Sequence, residues 1–310
     1  MSAATAVLPP AQAVSIWRLR WRRLRQDRVA LLGGAVLLLL YGLCFAAGPI
    51  ASLLGVDGTS TDLMRRYDEP SAEHWLGCDE AGRDVLVRLL LGGQISLSIG
   101  LMGALGCTLI GTLIGAAAGY FRGYVDTVLM RFTDFMISLP GLPLLIILSA
   151  VDLTKLGVPA DWVRSGASTY WRIVLIVTLL GWTGVARLVR SATLAIAERE
   201  FVMSARAQGA SAPFILMRHV LPHAVSPVIV ATTLAMGRIM LTESGLSFLG
   251  VGIQPPLTSW GSLLTNAQEL ISSAPALALY PGALIFTTVI AINFLGDGLQ
   301  SAFDPRADPR

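Results

Sequence analysis

Four groups of side chains in this sequence are of types that can do chemistry. His74, Asp79 and Asp84 fall within eleven residues and are of the kinds that ligate a metal. His219 and His223 stand four apart, a spacing that on a helix turns both imidazoles to one face, but Pro222 between them interrupts it and they read as interface histidines. Cys44, Cys78 and Cys107 are an odd set without metal-ligand spacing. Arg238 is a lone charge in a stretch otherwise fit to cross a membrane. No second cluster supports a metal at His74, and no nucleophile stands beside a base. The single lysine, Lys155, is followed by Leu156, so the chain lacks a Gly-x-x-x-x-Gly-Lys-Ser/Thr phosphate loop. The expectation is a chain with no catalytic residue, metal or cofactor of its own.

Membrane helices must position these residues. Of 310 residues 54% are hydrophobic and 14% charged, with a mean hydropathy of +0.66, against about 25% charged in a soluble domain. The chain reads as an all-α membrane protein embedded in a lipid bilayer. Its net charge of +3 comes from arginines beside apolar runs, which sets topology and does not indicate nucleic acid.

Residues 1–28 form a basic arm with Arg18, Arg20, Arg22, Arg23, Arg25 and Arg28, and residues 29–56 a charge-free first span too long for a signal-peptide core. Residues 57–88 carry eight acids against four arginines and read as an external loop in which Cys78 alone of the thiols meets water. The core, 89–310, holds spans near 89–121, 132–151, 173–189, 223–249 and 279–295, with a polar loop at 190–222. Gly111, Gly115 and Gly119 put a small face on the second span, suited to close helix packing. Arg122 and Arg131 mark a short inner loop, and Pro140 and Pro143 interrupt the third span and point to a bend near a pathway. Six spans with both ends cytosolic put 15 of the 23 basic residues inside and 7 outside, Arg238 being the remaining one.

The segment 198–222 is too polar to cross. It reads as two short helices meeting at an elbow, with Gly209 left-handed at the joint, Ser211 capping the second helix, Pro213 in its first turn and Pro222 ending it. Phe201, Val202 and Ala205 share a face of the first helix, suited to a partner's groove.

These residues resemble the Glu-Ala-Ala loop of importer-type ABC permeases, on Met203-Ser204-Ala205, then Gly209, then Leu221-Pro222. The family Glu falls on Met203, so Glu200 or Glu198 supplies the acid for its contact. His74-Trp75-Leu76-Gly77-Cys78-Asp79-Glu80-Ala81-Gly82-Arg83-Asp84 is similar to a signature of the C-type subunit of dipeptide and oligopeptide permeases, with Cys78 for its Thr. Gln254-Pro255-Pro256-Leu257-Thr258-Ser259-Trp260-Gly261, Leu295-Gly296-Asp297-Gly298 and Asp304-Pro305-Arg306 extend the likeness.

The resemblance implies a permease subunit of the bacterial inner membrane for di- or oligopeptides. Its partners would be a second permease, two cytosolic ATPases that hydrolyse the ATP, and an external solute-binding protein. It implies ATPase coupling through Glu200, Phe201, Ser204, Ala205, Arg206, Gly209, Ala210, Ser211, Leu221 and Pro222, and binding-protein contact through Gln254, Pro255 and Trp260. Glutathione, nickel-chelate and sugar importers share the pattern. A self-sufficient transporter would call for inverted repeats, which the sequence does not show.

Arg238 lies roughly 22 Å along a fifth span starting at His223, deep in an apolar layer about 30 Å thick. A charge there costs at least ~2.5 kcal/mol and faces a partner or a water-filled pathway. Glu243, five residues on and about 140° around, is a poor partner within the helix. Arg238 and Pro140 are therefore the candidate pathway residues, Arg238 meeting anionic groups unless an acid on another span or on the second permease pairs with it.

Overall fold

The computed structural model describes residues 16–163, 165–265, 267–270 and 274–303. The first fifteen residues of the basic arm, Arg164 and the ending Asp304-Pro305-Arg306 lie outside the described residues. Among them the regular structure is helical: α1 (Ile16–Gln26), α2 (Arg28–Phe45), α3 (Ala47–Leu54), α4 (Val85–Phe121), α5 (Gly123–Ser138), α6 (Gly141–Ser149), α7 (Ala160–Val163), α8 (Gly166–Gly181), α9 (Thr183–Ala197), α10 (Glu200–Ala207), α11 (Ala212–Ile215), α12 (Leu221–Phe248), α13 (Ala267–Leu270) and α14 (Ala276–Phe303). Among the described residues four helices are long and apolar enough to cross a membrane, or up to six if each of two bent pairs, α5–α6 and α8–α9, is one span.

Local chemistry sets the boundaries. Asp27 starts α2 by accepting the amides of Val29 and Ala30 at 3.0 and 3.1 Å, which satisfies donors that no helix can satisfy internally. Asp84 does the same for α4 through Val87 N at 2.8 Å. α4 runs 37 residues, about 55 Å at 1.5 Å per residue, so it tilts or projects beyond a 30 Å hydrocarbon layer.

α4 is the element on which the others pack: α9, α12, α8 and α2 lie against it, and α14 closes the far side against α2 and α12. The small face at Gly111, Gly115 and Gly119 meets α9 directly. A side chain at Gly115 would stand 2.9 Å from the backbone N of Arg190 and 3.0 Å from Val189 Cβ, so only glycine permits this approach. α12 crosses α4 where Met240 and Ile239 lie over Gly100 and Gly103, and Thr108 and Thr232 share a 2.7 Å hydrogen bond lower down.

Two expectations are corrected. The inner loop across Arg122 and Arg131 shrinks to Arg122, because the chain re-enters a helix at Gly123 and Arg131 lies within α5. Arg190 and Arg187 of α9 hold that helix through Asp126 and Asp134.

Pro222 does not end a helix either. α11, a π-turn over residues 216–220 and α12 run on as one 37-residue rod, Ala212–Phe248. In the π-turn the Leu221 amide bonds back to Leu216 O. The widened turn makes room for the proline ring and for the amide bond it lacks.

Candidate functional site

The elbow is built as its residue types dictate, but its faces divide differently. Gly209 is left-handed (φ +78°) with open space around it, and Ser211 precedes α11 without a side-chain cap bond. Val202 is buried with Tyr120, Ile215 and Val220, and Ala205 and Ala210 pack against that cluster. The Arg206 guanidinium lies 5.1 Å from the Tyr120 ring. These residues therefore seat the elbow on the end of α4, and Leu221, half-buried beside Ala116, Val185 and Val189, faces inward.

Glu200, Phe201, Ser204, Gly209, Ser211 and Pro222 are exposed. Phe201 stacks on His223 at 4.8 Å and reaches His219 at 6.2 Å, and Phe214 meets His219 edge-on at 5.8 Å. The two histidines thus share a face after all, since the helix runs through Pro222, and His223 Nδ1 donates to His219 O. Met203, Phe214 and Met217, the last 69% exposed, widen the apolar surface. Sequence reasoning passed over them, although large apolar side chains in a segment too polar to span were a signal. Of the two candidate acids, Glu198 is held by Arg122 at 2.9 Å, while Glu200 forms no ion pair among the described residues.

Arg238 is exposed on α12 and lines a cavity of about 240 Å³ with Gly141, next to Pro140 at the start of α6. Pro140 itself is not part of the lining. Glu243 points the other way. It is fully buried, accepting from Ser96 Oγ at 3.1 Å and Ser247 Oγ at 2.8 Å. Ser96 Oγ in turn accepts the Trp260 amide at 3.1 Å, and Ser247 Oγ the Ile253 amide at 3.0 Å. This network joins α4, α12 and the loop after α12, and only the serines around Glu243 pointed to it.

The loops before α4 and after α12 are the third region. Gln254 and Pro255 are exposed, but Trp260, expected at a partner contact, is 0% exposed. Its indole donates to Leu89 O at 2.7 Å, so it pins the loop to α4 and has no free surface to offer. His74, Asp79 and Asp84 form no metal site: no metal-holding group of three occurs among the described residues.

They tie a knot instead. Asp79 is held by the guanidinium groups of Arg83, at 2.9 Å, and Arg88, and His74 pairs with Asp84 at 2.9 Å. Burial alone would raise the Asp79 carboxyl. The amides of Arg83 and Ala81, with Arg88 and Arg83, outweigh it and hold the carboxyl below the usual carboxylate range. Cys78, expected to meet water, is 2% exposed. Burial pushes its thiol up, with Asp68 and Asp84 adding to the shift.

Comparison with known proteins agrees with this geometry. Residues 111–309 match the family of binding-protein-dependent transport system inner membrane components, and residues 15–67 match the N-terminal transmembrane domain of oligopeptide transport permease C. The chain is 37% identical to the glutathione transport system permease protein GsiD of Pectobacterium atrosepticum, over 97% of this chain and 96% of that one. It is 33% identical to the dipeptide transport system permease protein DppC of Alkalihalophilus pseudofirmus, over 95% and 91%. Among solved structures the inward-facing MetNI methionine ABC transporter shares the fold, with TM-score 0.56 and 18% identity, covering 71% of this chain and 96% of that one.

Proposed function

We propose, from the premise that this chain belongs to the binding-protein-dependent transport inner membrane component family, that it is one of two permease subunits of an ATP-driven importer of di- or oligopeptides. The family is non-catalytic, multi-pass and resident in the bacterial inner membrane. Cytosolic ATPases hydrolyse the ATP, and an external binding protein delivers cargo. The names of the relatives, dipeptide and glutathione permeases, support a short peptide or peptide-like solute. Each bent helix pair is one span, which gives six spans with both ends cytosolic and divides the chain into arm 1–28, first span 29–56, external loop 57–88 and core 89–310.

The elbow carries this reading. Its exposed apolar surface, Phe201 flanked by Phe214, Met203 and Met217, sits on a rod that continues without interruption into the membrane. The ATPase grips that surface, with Glu200 in place of the family's acid and Ser204, Gly209, Ser211 and Pro222 at the contact. Ala205, Arg206, Ala210 and Leu221 support it from below. Movement of the ATPases then rocks the spans between two arrangements. Gln254 and Pro255 meet the binding protein, and Arg238 and Pro140 line the pathway.

Gly209→Val tests the elbow, because a β-branched residue resists φ +78° at a cost of about 1–3 kcal/mol. The complex should still insert and co-purify with its ATPases, while transport per ATP hydrolysed falls several-fold in proteoliposomes. Normal coupling in that variant would refute the elbow's role. Failure of the wild-type chain to co-purify with any ATPase would favour a transporter that works alone.

A further inference from the structure

The two bent helix pairs break at one place. α5–α6 turns through 81° and α8–α9 through 45°. Gly141 from the first break, and Gly181 and Thr183 from the second, line the same cavity as Arg238. Irregular backbone at membrane depth is tolerated only against protein or a water-filled space, so the meeting of two breaks marks that space.

The cavity carries a single charge. Among the described residues Arg238 enters no ion pair, and Glu243 of the same helix is closed off on the opposite side. The guanidinium lies beside the first turn of α9: a side chain at Gly184 would stand 3.4 Å from it. The hydroxyl of Thr242 is already donated to Arg238 O at 2.8 Å. Leu145, Val177, Leu180 and Ile239 make the walls apolar.

We propose that this cavity is a cargo subsite for a carboxylate with an aliphatic side chain next to it, as at the C-terminal end of a peptide. Arg238 takes the carboxylate through its planar fork of donors, and the four aliphatic residues take the side chain. The subsite presupposes the peptide-class cargo proposed above and adds the end by which that cargo is read.

The test uses the complete transporter, both permeases with ATPases and binding protein, in proteoliposomes. Uptake of radiolabelled alanyl-leucine is compared with uptake of its C-terminal amide, each at a concentration that saturates the binding protein. Arg238→Gln should lower the acid-to-amide uptake ratio about tenfold or more, since hydrogen bonds to charged groups are the strong ones, and Arg238→Lys should restore part of it. An unchanged ratio, an equal loss for both cargoes or loss of the assembled complex would overturn the subsite, the last two indicating a pair with an acid of the second permease.

A second measurement does not depend on cargo. Thr183→Cys in the complex should react about tenfold faster with a sulfonate-bearing methanethiosulfonate than with a trimethylammonium one, and Arg238→Gln should abolish that preference. Absence of the preference overturns the subsite. If the wild type moves neither dipeptide yet keeps the labelling preference, the cargo reading fails and the anion subsite stands.

Discussion

Arg88 and Arg238 are both arginines on long helices of the same chain, and their surroundings are opposite. Arg88 and Arg83 close on Asp79 in the knot before α4, where His74 and Asp84 form a second pair. Arg238 faces a cavity with no acid against it among the described residues. In the knot the cost of removing charge from water is offset inside the chain, so the residues serve to hold a loop and start α4. In the cavity the cost is left open. An uncompensated charge at membrane depth persists where something outside the chain compensates it.

Removing one member of each region should produce the largest contrast. Asp79→Ala takes from two guanidinium groups the buried acid they share and leaves them only the more exposed Glu80, and breaking a buried pair from one side costs up to about 3–5 kcal/mol. The Tm of the purified complex should fall by several degrees. Arg238→Gln removes a charge that makes no ion pair among the described residues and should leave Tm almost unmoved. A matching fall for Arg238→Gln would erase the distinction between the regions.

Acid sharpens it further. The Asp79 carboxyl is depressed in the folded protein, so its contribution to stability is complete above the ordinary carboxylate pKa, about 3.9, and disappears as pH falls through the lower folded value. The Tm gap between wild type and Asp79→Asn should therefore hold from pH 7 to about 4 and close below it. A gap that narrows near neutrality would mean that another group controls the knot.

The smallest effect concerns Cys78. Because its thiol is buried and raised, a membrane-impermeant maleimide should label it slowly from outside. Asp79→Ala should speed that labelling several-fold by loosening the knot, and equal rates in both would show that the knot does not guard it.

Much of this could be read in the residues. Apolar runs of span length announce themselves, Gly209 is the one residue type at ease in the left-handed joint, and Arg238 stood out because charge is rare in such runs. Side-chain direction in loops did not. Trp260 and Cys78 lie among polar and turn-forming neighbours and read as exposed, yet both are buried, Trp260 against Gly92 and Gly93 of α4, far from it in sequence, and Cys78 within the fold of its own loop beside Asp68 and Asp84. Pro222 misled for a local reason. The rule that proline ends a helix assumes an α-turn before it, and the π-turn at 216–220 removes that assumption. The knot was missed because ion pairs between loop residues depend on turn geometry, which Gly77 and Gly82 set by their positive φ.

The uninterrupted rod from Ala212 to Phe248 can also be viewed as a lever. It crosses α4 at Ile239 and Met240, over Gly103 and Gly100. From there to the elbow end is about 40 Å and to the outer end about 12 Å, at 1.5 Å per residue. Rotation about that fulcrum would move the outer end against the inner one with roughly one-third of its travel and about three times its force. A broad swing of the elbow end would thus reach the loop after α12 as a short, forceful stroke in the opposite direction, with the Arg238 cavity beside the fulcrum, where displacement is least.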